Sequence, residues 1–119
     1  MYLYSFEKLE VWQLSRELTG QVYRVSRDFP KEEMYGLTSQ IRRACISVAS
    51  NIAEGTSRMT GKDQAHFSSM AFSSLMETLN QLIIANDLEY LDNENLLELR
   101  TKINAISIRL IALRKSQTN

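Results

Sequence analysis

Histidine, proline, cysteine and tryptophan each occur once in these 119 residues, and glycine occurs four times. So little proline and glycine leaves few punctuation points, which argues against many short strands and for a few long helices. The lone Cys45 excludes an internal disulfide. It lies on an apolar helical stripe and fits a small buried residue in a reducing cytoplasm. The lone His66 cannot supply the two Glu-x-x-His pairs with which helical bundles hold a di-metal centre. Asp63 does stand three residues before it, but as a single copy at a helix start, where the dipole explains an acid. A Ser–His arrangement would draw on the same histidine, and Ser68, Ser69, Ser73 and Ser74 read as small packing or surface residues. Gly55 and Gly61-Lys62 enclose five residues, one too many for a phosphate-binding P-loop, and no strand precedes them. Neither catalysis, a metal nor a cofactor is expected.

Charge of one sign is also missing. Lysine plus arginine balance aspartate plus glutamate, 14 against 14, so net charge supplies no long-range attraction to nucleic acid or anionic lipid. No segment approaches the roughly 18 consecutive apolar residues of a membrane span. The start, Met-Tyr-Leu-Tyr-Ser-Phe-Glu-Lys, lacks the basic and apolar regions of a secretory signal. A cytoplasmic protein without membrane contact is expected.

What is present is helical periodicity. Apolar residues at 44% and charged residues at 24% are a globular mixture, and the length suits one domain spanning residues 1–119. Four helices are predicted at about 6–29, 38–54, 61–86 and 93–114. The first carries Val11, Leu14, Leu18, Val22, Val25 and Phe29, with Ser5 as its cap, and Phe29-Pro30 stops it. A helical turn is possible just after Pro30. The second carries Leu37, Ile41, Ala44, Cys45, Val48 and Ile52, with Gly55 placed as a left-handed C-terminal cap. Thr60 caps the third, which runs through Phe67, Ala71, Leu75, Leu79, Leu82 and Ile83. Leu88, Tyr90 and Leu91 should plug the end of the bundle. Asp92 caps the fourth, where Leu96, Leu99, Ile103, Ile106, Leu110 and Leu113 alternate at spacings of three and four. The polar tail, Lys115 to Asn119, should fray. Short connections between helices roughly 36 Å long give an all-α, up-down-up-down four-helix bundle.

The last two helices carry more apolar surface than one core uses. Met76 and Ile84 flank the stripe of the third, and Leu97, Ala105, Ile108, Ile111 and Ala112 lie off the seam of the fourth. A helix apolar around most of its circumference is buried on more than one side, so Met76, Ile84, Leu97, Ile108 and Ile111 are candidates for an oligomer interface. Arg42, Arg43, Arg58, Lys62, Arg109, Arg114 and Lys115 are the candidates for binding nucleic acid or another partner, because arginine forks grip phosphates in pairs. The competing expectation is that Arg43 pairs with an acid inside the fold and the terminal cations complement helix dipoles.

Several motifs carry a resemblance. Phe6-Glu-Lys-Leu9-x-Val11-Trp12, Tyr35-Gly36-Leu37-Thr-Ser-Gln40-x-Arg42-Arg43-Ala44, Ser47, Asn51-Ile-Ala-Glu-Gly55 with Arg58, Ser74-Leu75-x-Glu77 and Gln81-Leu82-x-x-Ala85 occur in order. Together they resemble the four-helix-bundle family encoded in intervening sequences of bacterial large-subunit ribosomal RNA. Ala49 and Ser73 replace a proline and a glycine frequent there, which favours straighter helices. The resemblance implies no known enzymatic activity and structural roles for Asn51, Glu54, Gly55 and Glu77. Glu54 and Glu77 could otherwise form a carboxylate pair across two helices. That family is similar to the accessory variability determinant of diversity-generating retroelements, a homopentameric barrel that binds reverse transcriptase and nucleic acid through a basic surface. It therefore implies a ring-like homo-oligomer, a pentamer, serving as a scaffold for a protein or nucleoprotein partner. Direct RNA or DNA binding through a basic surface of the oligomer is the alternative.

Overall fold

The computed structural model describes residues 1–118. Among them are four α-helices and no strand: α1 (Glu10–Ser26), α2 (Leu37–Thr56), α3 (Gly61–Asp87) and α4 (Asn93–Gln117). Each helix packs on its neighbours in sequence and α1 closes on α4, while the diagonal pairs stay apart. Side-chain pairings give the directions. Thr19 meets Cys45 and Arg42 meets Ser26, so α1 and α2 run oppositely. Ser47 meets Ser74, Ser68 meets Gln117, and Glu10 meets Arg109, which makes every adjacent pair antiparallel. The result is an up-down-up-down bundle with extents of 43 × 29 × 21 Å.

The predicted stripes form the core. Leu18, Val22, Ile41, Val48, Leu75, Leu82 and Ile106 are sealed from solvent, joined by Ile52, Ile103 and Leu110. Full burial of one such side chain contributes about 1.5–3 kcal/mol, so this interior supplies most of the driving force. Small polar residues share it without penalty because the helix itself satisfies them. Ser15 Oγ donates to the Val11 carbonyl at 2.8 Å and Thr78 Oγ1 to the Ser74 carbonyl at 2.9 Å.

Thr60 and Asp92 cap α3 and α4 as predicted, accepting from the backbone N–H groups of Asp63 and Asn95 at 3.1 and 2.7 Å. Three boundaries differ from the sequence reading. The predicted first helix divides into a 3-10 turn, Ser5–Lys8, and α1, with Leu9 extended between them. The Glu7 carboxylate folds back onto the Tyr4 N–H at 2.8 Å, and Gln13 Nε2 donates to the Glu7 carbonyl at 2.9 Å. Those two bonds complete a turn that stops short of α1, so Ser5 caps nothing. At the other end, α1 stops at Ser26, three residues before Phe29. The last helix also reaches Gln117 rather than fraying at Lys115, and Asn119 lies outside the described residues.

Gly55 is a further correction. It sits inside α2, which continues to Thr56, and its φ is not positive. Its Cα is packed against α3: a Cβ there would stand 2.9 Å from the Cβ of Phe67. The residue is glycine because the helices approach closely, not because a turn needs a left-handed conformation.

A 3-10 turn, Lys31–Glu33, follows Pro30 as expected. Glu33 Oε1 then accepts the Leu37 N–H, 3.1 Å away, at the start of α2. Its other oxygen accepts from the Tyr90 hydroxyl at 3.3 Å, and the Tyr90 ring packs on Phe29 with centroids 5.8 Å apart. Partial burial, then the Glu33 carboxylate, raise the Tyr90 phenol above its ordinary pKa. Leu91 and Tyr90 thus plug this end, while Leu88 remains half exposed outside it.

Candidate functional site

The seven candidate cations separate into three groups. Arg42 and Arg109 are used by the fold. Arg42 Nε donates to Ser26 Oγ at 2.8 Å, Nη2 to the Tyr23 carbonyl at 3.4 Å, and the guanidinium lies 4.6 Å over the Tyr23 ring. It therefore closes the C-terminal turn of α1, where unpaired carbonyls and the helix dipole favour a cation. Arg109 pairs with Glu10 at 2.9 Å and also donates to the Ala105 carbonyl.

Arg43 stands alone. It is exposed on α2 with no hydrogen-bond or ion-pair partner among the described residues, contrary to the expected internal pair. Arg58, Lys62, Arg114 and Lys115 form the third group, at the end of the bundle where α2 and α4 finish and α3 begins. Arg58 lies 4.8 Å over the Phe67 ring. Lys62 and Arg114 line an open cleft of about 380 Å³ with Ala65, His66, Ser69 and Thr118. His66, weighed in the sequence as a metal ligand or a catalytic partner of serine, belongs here beside two cations. The spacing Lys62, His66, Ser69 places all three on one face of α3 and was visible in the sequence. Arg114 could join them only once the α3–α4 register was known.

A second cleft, of about 370 Å³, continues along the same groove. Ser69 and Arg114 border both, and Phe72, Leu110 and Ile111 supply its apolar wall. Ile111 in turn belongs to the outer face of α4. There Leu97, Ile108 and Ile111 are 67%, 58% and 59% exposed, and Met76 and Ile84 on α3 are 36% and 39% exposed. The five interface candidates all reach the surface.

The motif residues divide as well. Asn51 Nδ2 donates to the Ser47 carbonyl and Oγ at 2.9 and 3.0 Å, and Ser47 Oγ meets Ser74 Oγ at 2.9 Å. This small polar chain stitches α2 to α3. Glu54 and Glu77 are exposed and neither forms an ion pair among the described residues, so they tie no helices together and form no buried acid pair. Burial pushes the Cys45 thiol above its ordinary pKa, against smaller opposing contributions from Thr19, neighbouring backbone and the Arg42 charge. Among the described residues no three His, Cys, Asp or Glu side chains gather as metal ligands. No helix is long and apolar enough to cross a membrane.

The family model for the 23S rRNA-intervening sequence protein matches residues 7–112. The chain belongs to that family. Its match runs from the 3-10 turn to the last turns of α4, so the stitched α2–α3 pair and the outer face of α4 both lie within it. A crystal structure of a protein of unknown function, from the S23 ribosomal protein family of Bacteroides thetaiotaomicron VPI-5482, is similar in fold. The TM-score is 0.81 at 21% identity, over 88% of this chain and 98% of that one. At that identity the likeness concerns the bundle alone. No curated protein matches the chain. Membership of the 23S rRNA-intervening sequence family thus fits the four-helix fold and assigns no activity.

Proposed function

We propose that this family member is a non-catalytic helical scaffold that assembles with copies of itself and presents the assembly to a protein or nucleoprotein partner in the cytoplasm. The observation that carries the reading is the exposed apolar stripe of α4, Leu97, Ile108 and Ile111, flanked by Met76 and Ile84 of α3. Several exposed large apolar side chains on two adjoining helices suit an association site. A ring with five copies is the arrangement the family resemblance favours. Light scattering after size exclusion tests the reading, with a mass near five times 13.7 kDa expected. A monomer at micromolar concentration would refute it.

A second reading, direct binding of RNA or DNA, is favoured by one observation. Arg58, Lys62, Arg114 and Lys115 gather at one end of the bundle, and a ring would repeat that cluster around its rim. Affinity for a structured RNA should then fall steeply as salt rises, because bound phosphates release counterions. Absence of binding at low salt removes this reading and leaves the scaffold intact.

A further inference from the structure

The two adjoining clefts of the α3–α4 groove differ in chemistry. Lys62, His66, Ser69 and Arg114 surround the first with N–H and O–H donors, and no carboxylate lines it among the described residues. Lys62 and Arg114 form no ion pair there: the ion pairs in the described structure are Glu17–Lys102 and Glu10–Arg109. Asp63, the nearest acid in sequence, follows Lys62 by one residue, which turns it about 100° away around the helix. Ser69 has no hydrogen-bond partner among the described residues, whereas its neighbour Ser68 is committed to Gln117 Oε1 at 2.6 Å. The imidazole of His66 carries at least one N–H in either protonation state. A guanidinium fork, an ammonium group and neutral donors, with no carboxylate lining the cleft among the described residues, suit a phosphate.

The volume calls for more than a phosphate ion. At about 380 and 370 Å³, each cleft falls in the range of small-molecule sites, and they meet at Ser69 and Arg114. We propose that this groove binds a phosphate ester with an apolar or aromatic body. Lys62, His66, Ser69 and Arg114 hold the phosphate, and Phe72 and Leu110 flank the body. Every lining residue comes from one chain, and Ile111, at the edge of the second cleft, also belongs to the proposed assembly face.

The test titrates the full, ¹⁵N-labelled chain with adenosine 5′-monophosphate, adenosine, inorganic phosphate and a single-stranded RNA oligonucleotide. Saturable amide shifts confined to residues 61–73 and 107–115 are expected with the nucleotide. Adenosine and inorganic phosphate, each lacking one half of the ligand, should bind at least tenfold more weakly. Lys62→Ala and Arg114→Ala should each weaken the nucleotide about tenfold or more, the scale of one lost charge-assisted hydrogen bond. Arg43→Ala should change nothing. Circular dichroism checks the helix content, and Lys62→Gln and Arg114→Gln carry the comparison if the alanine variants unfold. RNA binding far more tightly than the nucleotide, with the same dependence on Lys62 and Arg114, supports the cleft and assigns its phosphate to a nucleic-acid chain. Saturation by none of these probes at millimolar concentration, or affinities unchanged in the variants, overturns the proposal.

Discussion

Two glycines in two helices give opposite responses to the same substitution. Gly20, inside α1, has room for a methyl group: a Cβ there would find Arg24 Nη1, the mobile end of a long side chain, at 3.5 Å. Gly20→Ala therefore gains the helix propensity of alanine, about 1 kcal/mol. Gly55→Ala gains the same propensity and must also place a carbon 2.9 Å from the Cβ of Phe67 and 3.6 Å from the Gln64 carbonyl oxygen. Non-bonded carbons prefer about 3.5–4.0 Å. Phe67 Cβ is fixed to the backbone of α3, so relief requires α2 and α3 to separate by roughly 0.6–1 Å, given that contact distance. Overpacking of this size costs about 1–3 kcal/mol, which cancels or exceeds the propensity gain. Subtracting one variant from the other removes the shared propensity and isolates the helix contact at about 1–3 kcal/mol. Urea unfolding followed by circular dichroism at 222 nm, at one fixed protein concentration, measures both. Gly55→Asn adds a second comparison, since asparagine tolerates a left-handed cap but is larger than alanine. Close packing predicts that Asn is worse than Ala. Equal stabilisation by Gly20→Ala and Gly55→Ala, or an Asn variant as stable as wild type, would refute the packing argument.

Three other outcomes are expected. Arg42→Met should lower stability by about 1–2 kcal/mol by unpairing the end of α1, while Arg43→Met stays within about 0.5 kcal/mol of wild type; denaturant midpoints compare the neighbours. Cys45 should react slowly with a thiol reagent in the native protein and quickly in denaturant. Because its folded pKa is raised above the ordinary 9.0, the unfolded chain loses this proton first. The stability it contributes is complete below that value and declines as pH climbs through the folded one, which unfolding curves at alkaline pH can follow. Ile108→Glu with Ile111→Glu should convert the assembly to smaller species by light scattering with helix content unchanged; an unaltered mass would exclude that stripe from the interface.

The core was legible because burial and the helical period report the same residues: Leu99, Ile103, Ile106 and Leu110 lie where their spacing places them. Caps at Thr60 and Asp92 were equally readable, since each requires only a local hydrogen bond. The break at Leu9 was not, because Phe6 and Leu9 keep the apolar period, which does not report the side-chain bonds that Glu7 and Gln13 make back along the chain. Gly55 misled for a related reason: glycine near a helix end serves a left-handed cap or a close crossing, and only the position of Phe67 decides. Likewise nothing in Arg42-Arg43 says which of the two faces α1. The cationic cleft joins the first turns of α3 to the last turn of α4, so sequence displayed Lys62 and His66 but not Arg114 beside them.

The junction of α1 with α4 differs from the other three helix contacts. It is bridged by Glu17–Lys102 at 2.8 Å and Glu10–Arg109 at 2.9 Å, pairs whose side chains are exposed on at least one side. Between and beyond them run open grooves past Gln21 and Arg24, and Gln21 Oε1 is buried without a partner among the described residues. Exposed ion pairs contribute little and are screened by salt. The outer rim of this seam is therefore the part of the helix packing most open to screening by salt. Leu18 and Val22 of α1 share the core with the other helices, so screening should loosen only the outer rim of this seam, and amides near Glu10 and Glu17 should exchange faster at high ionic strength.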